Sequence, residues 1–292
     1  MDKPFFSVII PTHNRPTELL RAVGTVINQT YKSFEIIIVN DGSTVDYSEI
    51  EDQVQKHSSI KYIKQENKYL AGARNTGIEN ANGNFICFLD DDDIYYEHHL
   101  AVLYNSIKRN FFKDAFYHTR CYLNRNGVRS KSLPRTYING SSLSHILDDP
   151  FPVHTVCLPS SILKFNKFNE DLRYMEDRDL WIRLSKLLPV IKINKYTVEY
   201  IFHENNMVSW NLKSQMEKLR TFNYFNKTYK TYLPSKYLLT SLIDLNLAVA
   251  DLSVPINKRA GIKYIIEAIK LSPVSVLKRK YFYAIIRSLF LS

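Results

Sequence analysis

Four consecutive aspartates, Asp90 to Asp93, follow the uncharged run FICFL at 85–89. Carboxylates this close repel one another unless water solvates them or a cation neutralises them, and hard divalent ions prefer carboxylate oxygen. A solvated turn, where Asp is favoured, accounts for the same four letters. A second acidic pair, Glu176 and Asp177, lies in YMEDRDLWIRLSKLL at 174–188, where Leu180, Trp181, Leu184 and Leu187 or Leu188 recur at helical spacing. A carboxylate in the first turn of a helix is kept ionised by the dipole, which a general base needs, although acidic residues are favoured in any first turn.

Three short apolar runs must position the first cluster: FFSVII at 5–10, FEIIIV at 34–39 and FICFL at 85–89. Each is β-branched or aromatic and fits a strand buried on both faces. Between the first two, PTELLRAVGTVINQT carries Leu19, Leu20, Val23, Val26 and Ile27 on one helical stripe with Pro16 near its start. Before the third, LAGARNTGIENA reads as a helix closed by the Asn-Gly turn at 82–83. The alternation is βαβαβ, which implies an α/β, doubly wound, mainly parallel sheet. Ligands bind such sheets beyond the carboxyl ends of the strands, here PTHNR at 11–15, NDGS at 40–43 and DDDD at 90–93, so the three clusters converge on one crevice. Gly42, Gly72 and Gly77 lie in or near these segments, where close backbone approach is useful. Neither GxGxxG nor GxxxxGK[ST] occurs, which excludes the dinucleotide fingerprint and the P-loop.

The chain has 292 residues, 45% of them hydrophobic, enough for one large domain with an appendage or for two domains. Its N-terminus, MDKPFF, lacks a basic segment followed by an apolar run, and no stretch approaches the roughly 18 apolar residues that span a bilayer, so a cytosolic protein is expected. Cys87, Cys121 and Cys157 support neither a disulfide framework nor a zinc pattern and read as buried thiols. The net charge of +10 suggests nucleic acid until it is located: residues 211–292 hold 14 basic and 4 acidic side chains, the whole excess, while 1–210 are balanced. This divides the chain into a balanced region 1–210 and a basic helical region 211–292. In the latter, Ile262, Ile265, Ile266 and Ile269 share a helical face, and Lys278-Arg279-Lys280 precede an apolar run. Such a pattern suits a helix lying in an anionic membrane interface or one packed on the core with its lysines solvated.

Taken in order, SVIIPTHNRP, FEIIIVNDGST, AGARNTGI, FLDDDD and EDRDLWIRL resemble the signature of family 2 glycosyltransferases, inverting enzymes of the GT-A fold. The resemblance implies a GT-A-type, Rossmann-like sheet in a catalytic region 1–210, with a nucleotide-binding half 1–110 and an acceptor half 111–210, and a sugar moved from a nucleotide-sugar, a UDP-hexose or UDP-N-acetylhexosamine, to a carbohydrate or lipid-linked acceptor. It implies donor contacts from Pro11, Thr12 and Asn14, with Thr12 bordering the base, from Asp41 on the uracil N3 hydrogen, and from Arg74 beside the nucleotide, for which a helix-surface salt bridge is the plain alternative. Asp90 would face the ribose, Asp91 belongs to the DxD region, and Asp92 would hold Mn²⁺ or Mg²⁺, aided by His203. Asp93 is expected to cap a helix begun near Tyr95. Asp177 would be the catalytic base, with Glu176 and His154 on the acceptor side. Tyr69 and Leu70 depart from the smaller residues common in the family. A soluble enzyme of cell-surface polysaccharide or lipooligosaccharide synthesis, peripheral on the inner face of the plasma membrane, is the implied setting. A non-catalytic nucleotide-sugar or metal-binding module is the rival, and a sugar-1-phosphate nucleotidyltransferase is disfavoured because PTHNRPTE is not its glycine-rich basic loop.

Overall fold

A computed structural model describes residues 3–132, 141–148, 151–202 and 210–279, together with 282–283, 285–286 and 289. The chain divides into two compact units, Met1–His203 and Glu204–Ser292.

The first unit opens with β1 (Phe6–Thr12), α1 (Pro16–Ile27), β2 (Phe34–Asp41), α2 (Ser48–Lys56), β3 (Ile60–Gln65), α3 (Tyr69–Glu79) and β4 (Phe85–Phe88). These four strands are parallel and stand side by side in the order β3, β2, β1, β4. Successive residues of a strand enter opposite cores: Phe6, Val8 and Ile10 pack with Leu19, Val23 and Val26 of α1, whereas Ile9 packs with Ala73 and Ile78 of α3. Strands apolar at every position follow from burial on both faces. The pair α2 and β3 was not among the expected elements. Only Ile60 of β3 is fully buried, and the edge strand IKYIKQ lacks the continuous apolar run that marks its neighbours.

The remainder of the unit comprises β5 (Ile94–Tyr95), α4 (His99–Arg109), β6 (Phe116–Arg125), β7 (Val128–Lys131), α5 (Ser142–Asp148), β8 (Val156–Pro159), α6 (Ser160–Leu163), α7 (Glu176–Leu184) and β9 (Val190–Phe202). The sheet continues past β4 with antiparallel β8, then β6, β9 and β5, while β7 pairs on β6. The chain leaves β1 toward β2 and β3 on one side and returns in β4 on the other, which places a topological switch point at the carboxyl ends of β1 and β4. Helix α3 lies close over β1 because Gly77 has no side chain: a Cβ there would meet Ile9 Cγ2 at 2.4 Å. In α7 the expected apolar face is buried through Leu180, Trp181 and Leu184, and of the two leucines beyond it Leu188 is buried and Leu187 exposed. All three cysteines are free and buried.

The second unit holds α8 (Leu212–Thr228), α9 (Ser235–Ser253), α10 (Lys258–Leu271) and α11 (Pro273–Leu277). Side chains of Asn211, Asn257 and Ser272 cap α8, α10 and α11 by accepting from the backbone N–H three residues on. Ile243, Leu247, Val254, Ile265 and Ala268 form its core. The four-isoleucine stripe of α10 is divided: Ile265 is buried, but Ile262, Ile266 and Ile269 stay 41%, 45% and 37% exposed. Among the described residues no helix is long and apolar enough to cross a membrane.

Candidate active site

Each polar cluster sits just past a strand of the parallel half. At the end of β1, Thr12 Oγ1 donates to Asp91 Oδ2 at 2.8 Å, so the Tyr47 hydroxyl, 2.9 Å away, donates to Thr12. The Arg15 backbone N–H donates in turn to the Tyr47 hydroxyl at 3.0 Å, completing a chain of bonds that ends on a carboxylate. Pro11 lies within buried β1. Asn14 adopts a left-handed backbone (φ 56°), and its Oδ1 accepts from Thr44 N at 2.7 Å, tying the first loop to the second.

At the end of β2, Asp41 is buried, and its Oδ1 accepts from Gln65 Nε2 at 2.7 Å and from Lys68 N at 2.8 Å. Two donors hold that carboxylate in one orientation. Gly42 follows with φ +73°, and a Cβ there would lie 2.8 Å from Asn67 N, so the turn takes only glycine without strain.

The tetrad after β4 has a cationic partner at every carboxylate. Arg74, 1% exposed, donates to Asp90 Oδ1 at 2.7 Å and to Glu176 Oε1 at 2.6 Å. The surface salt bridge considered for it is therefore corrected: this guanidinium is enclosed, and it links the tetrad to the first turn of α7. Burial lowers the affinity of Arg74 for its proton, yet Asp90 and Glu176 outweigh burial and hold it above its ordinary range. Arg15 Nη1 lies 2.6 Å from Asp92 Oδ2 and 3.3 Å from Asp91 Oδ1. Arg21 Nη2 donates to the Asp92 carbonyl at 2.7 Å. Burial, followed by the charge of Asp92, pushes Asp91 up to about 7 in spite of Arg15 and Thr12.

Asp93 does not cap a helix at Tyr95. That tyrosine lies in β5 and the next helix starts at His99, so no free N-terminus is within reach. Instead, Asp93 Oδ1 accepts from Ile201 N at 2.9 Å, fastening the tetrad to the end of β9, and Oδ2 lies 2.6 Å from His154 Nδ1. His154, expected on the acceptor side, is buried in the short 3-10 turn Val153–Thr155, behind the tetrad. Burial alone would lower its proton affinity; the Asp93 carboxylate reverses this and holds the imidazole well above its ordinary range. His203 lies outside the described residues.

Asp90, Asp93 and His154 offer ligand atoms all within 4.8 Å of one another. Carboxylate oxygens suit Mn²⁺ or Mg²⁺, so the acidic side chains of the tetrad fit a divalent ion, whereas His154, held charged by Asp93, offers it no lone pair. Asp90 is the most open side chain of the tetrad at 27% exposed, those of Asp91 and Asp92 are 8% and 10% exposed, and Asp93 and His154 are sealed.

Glu176 and Asp177 both lie in the first turn of α7, preceded by Met175 with φ 60°. Burial raises Glu176, Arg74 pulls it back and Asp177 raises it again, leaving it at about 7. Asp177 Oδ1 accepts from Arg178 N at 2.6 Å. Asp179, two residues on, is fully buried, and its Oδ2 accepts from Arg183 Nε at 3.0 Å. Tyr69, one of the larger residues at the start of α3, is 54% exposed and carries the Arg173 guanidinium 3.1 Å from its ring centroid.

Sequence reasoning passed over Arg15, Arg21 and Tyr47. Arg15 stands inside the quoted PTHNR, where a cation five residues after a buried strand begins to run out of apolar letters is a usable signal. Nothing in the sequence marks Tyr47, which is known only by the loop that folds it over Thr12.

Residues 7–171 match Glycosyl transferase family 2. An uncharacterised glycosyltransferase of Rickettsia felis is 35% identical over 191 residues, which are 65% of this chain and 31% of that protein, so the chain spans less than a third of that relative's length. Chondroitin synthase of Escherichia coli is 25% identical over 252 residues, 83% of this chain and 35% of that one. S. aureus TarS 1–349 in complex with UDP-GlcNAc has the same fold, with a TM-score of 0.62 at 16% identity over 97% of this chain and 89% of that chain. The GT-A-like α/β architecture with a helical C-terminal region is thus the one observed. With more than half of its residues inside the family match, the chain belongs to glycosyl transferase family 2.

Proposed function

We propose that the chain is an inverting transferase that moves a hexose or N-acetylhexosamine from a UDP-sugar to a carbohydrate or lipid-linked acceptor. The observation that carries this reading is the Arg74 bridge: one buried guanidinium joins Asp90 of the tetrad to Glu176, the neighbour of Asp177. Direct displacement needs a stabilised leaving group on one side of the anomeric carbon and a base on the other, and this bridge fixes the two acidic groups relative to each other. TarS binding of UDP-GlcNAc and the chondroitin synthase relative favour a UDP-sugar as donor.

In this reading Asp41, held by Gln65 and Lys68, accepts the N3 hydrogen of the uracil, with Pro11, Thr12 and Asn14 beside the base. Asp90 and Asp92 would hold a divalent ion, and Asp91 is kept in place by Thr12 and Arg15. Such an ion would supply positive charge to the leaving diphosphate. Asp177 takes the proton of the acceptor hydroxyl, and Glu176 orients that acceptor. His154 holds the turn through Asp93. The basic second unit, with its exposed isoleucines, docks on an anionic membrane surface at the inner face of the plasma membrane, within reach of a lipid-linked acceptor in cell-surface glycan synthesis.

A panel of nucleotide-sugars assayed for Mn²⁺-dependent release of nucleoside diphosphate, with and without sugar acceptors, tests the reading. Release from one UDP-sugar that accelerates with acceptor is expected. Tight binding of nucleotide-sugar with neither release nor transfer across the panel would make the chain a binding module instead.

A further inference from the structure

Every carboxylate of the tetrad faces a cation of the chain itself, but three cations are shared among the four. Arg74 serves Asp90, His154 serves Asp93, and Arg15 serves both Asp91 and Asp92. These cations differ in freedom. The Arg74 and His154 side chains are each 1% exposed, whereas that of Arg15 is 31% exposed. The Arg15 backbone is fixed by Tyr47 and by Pro16, which follows it at the start of α1 and keeps Arg15 out of the helical region (φ −138°, ψ 57°). Its guanidinium end has solvent to move into.

That end occupies Asp92 Oδ2 at 2.6 Å, on the carboxylate assigned above to the divalent ion. An ion arriving alone at Asp92 must expel the guanidinium from its 2.6 Å contact and leave it only the longer one, 3.3 Å, to Asp91. An ion arriving with a diphosphate need not, because phosphate oxygens accept the planar fork of an arginine at least as well as a carboxylate does. We propose that Arg15 is the resting counter-cation of Asp91 and Asp92, and that it makes divalent-metal binding conditional on a nucleoside diphosphate, to which its guanidinium transfers. The inference rests on the metal reading of Asp92. No bond to carbon or phosphorus changes in this step; one cation replaces another at a carboxylate, and the displaced one takes the phosphate.

Linkage makes the device measurable without turnover, since whatever UDP does for metal affinity the metal does for UDP affinity. Mn²⁺ binding to the full chain is followed by the electron paramagnetic resonance of free Mn²⁺, with and without UDP. In the wild type, affinity without UDP is expected to be weak and to rise about tenfold or more with UDP, within the usual range of such couplings. Arg15→Gln should bind Mn²⁺ about tenfold more tightly without UDP and show a correspondingly smaller gain on adding UDP. Arg15→Lys, which keeps the charge, should behave closer to wild type. Lys32→Gln removes the same charge from beyond the far end of α1, where its Nζ donates to the Ile27 carbonyl, and should leave both affinities near wild type.

Circular dichroism and urea midpoints of Arg15→Gln matched to wild type exclude a gain that comes from unfolded chain exposing its carboxylates. Equal metal affinity in wild type and Arg15→Gln without UDP, while UDP still strengthens both, overturns the Arg15 device and leaves the metal reading standing. The same gain in Lys32→Gln also overturns it, by reducing the effect to net charge. Absence of Mn²⁺ binding in all proteins, UDP or not, overturns the device and the metal reading together.

Discussion

The two units handle charge in opposite ways. In the first, basic and acidic residues balance to within one charge, and the carboxylates of the tetrad are each held by a named cation inside the fold. In the second, the excess of nine positive charges has few acidic neighbours, and Lys258, Arg259, Lys263 and Lys278 are exposed, as are Ile262, Ile266 and Ile269. Buried, paired charge is costly to assemble but fixes geometry to fractions of an ångström, which chemistry at one atom requires. Unpaired surface charge fixes nothing locally and acts over about a Debye length, which suits attraction to an extended anionic surface. One sequence therefore uses electrostatics as scaffold in one unit and as reach in the other.

The sharpest cut at this contrast is Asp177→Asn, which keeps shape and removes basicity. General-base catalysis contributes roughly 10²- to 10⁴-fold, so single-turnover transfer should fall by about that factor while UDP affinity stays unchanged. Wild-type turnover, or a product that retains the donor's anomeric configuration, rules the role out. Asp179→Asn is no neutral control, because the Asp179 carboxylate is fully buried on Arg183 and its loss is paid in stability.

Removing the Arg74 charge attacks the scaffold directly. Arg74→Met leaves Asp90 and Glu176 without their shared partner, and stranding buried charge costs about 3–5 kcal/mol. Urea unfolding should show a loss of that order. A loss under about 1 kcal/mol would mean that water already shares those carboxylates, and the contrast between the units would weaken.

Most of the parallel half was legible in advance, because strands buried on both faces are written as unbroken apolar runs and their ends as abrupt polar clusters. The edge pair α2 and β3 was not, since half-exposed strands carry alternating letters that resemble loop. Convergence of three clusters was readable from topology alone. The pairings within them were not: Asp93 with His154 spans 61 positions and Arg74 with Glu176 spans 102, and no local pattern encodes which cation meets which carboxylate. The isoleucine stripe was readable as amphipathic, but that it would split between core and solvent depends on where Ile243 and Leu247 of α9 fall.

The surface role of the second unit is tested by point changes. Truncation near residue 256 would strip α10 from α9 and expose Ile243, Leu247 and Ala250, so full-length variants serve better. Replacing Lys263, Lys270 and Lys278 by Gln should weaken sedimentation with phosphatidylserine vesicles by up to about 3 kcal/mol, near 1 kcal/mol per charge. Neutral phosphatidylcholine vesicles should bind neither protein. Equal sedimentation of wild type and variant on anionic vesicles would remove the membrane from the reading and leave the lysines as solvated charge.

The smallest effect distinguishes burial from pairing at the scaffold itself. Glu176 stands at about 7 against an ordinary 4.5, because burial and Asp177 together exceed the pull of Arg74. A carboxyl whose folded value is raised stabilises the fold through its proton: the contribution is complete below about 4.5 and is lost as pH rises through 7. Wild-type stability should therefore decline over that window relative to Glu176→Gln, which keeps the shape, stays neutral and cannot titrate. The Arg74 guanidinium stays beside the ionised form and softens its cost, so the expected difference is on the order of 1 kcal/mol. Urea midpoints of the two proteins at several pH values, in a chelating buffer, measure it. If Arg74 instead dominated, the folded value would be depressed and the wild type would gain on the variant as pH rises, so the sign of the slope decides which force holds the first turn of α7.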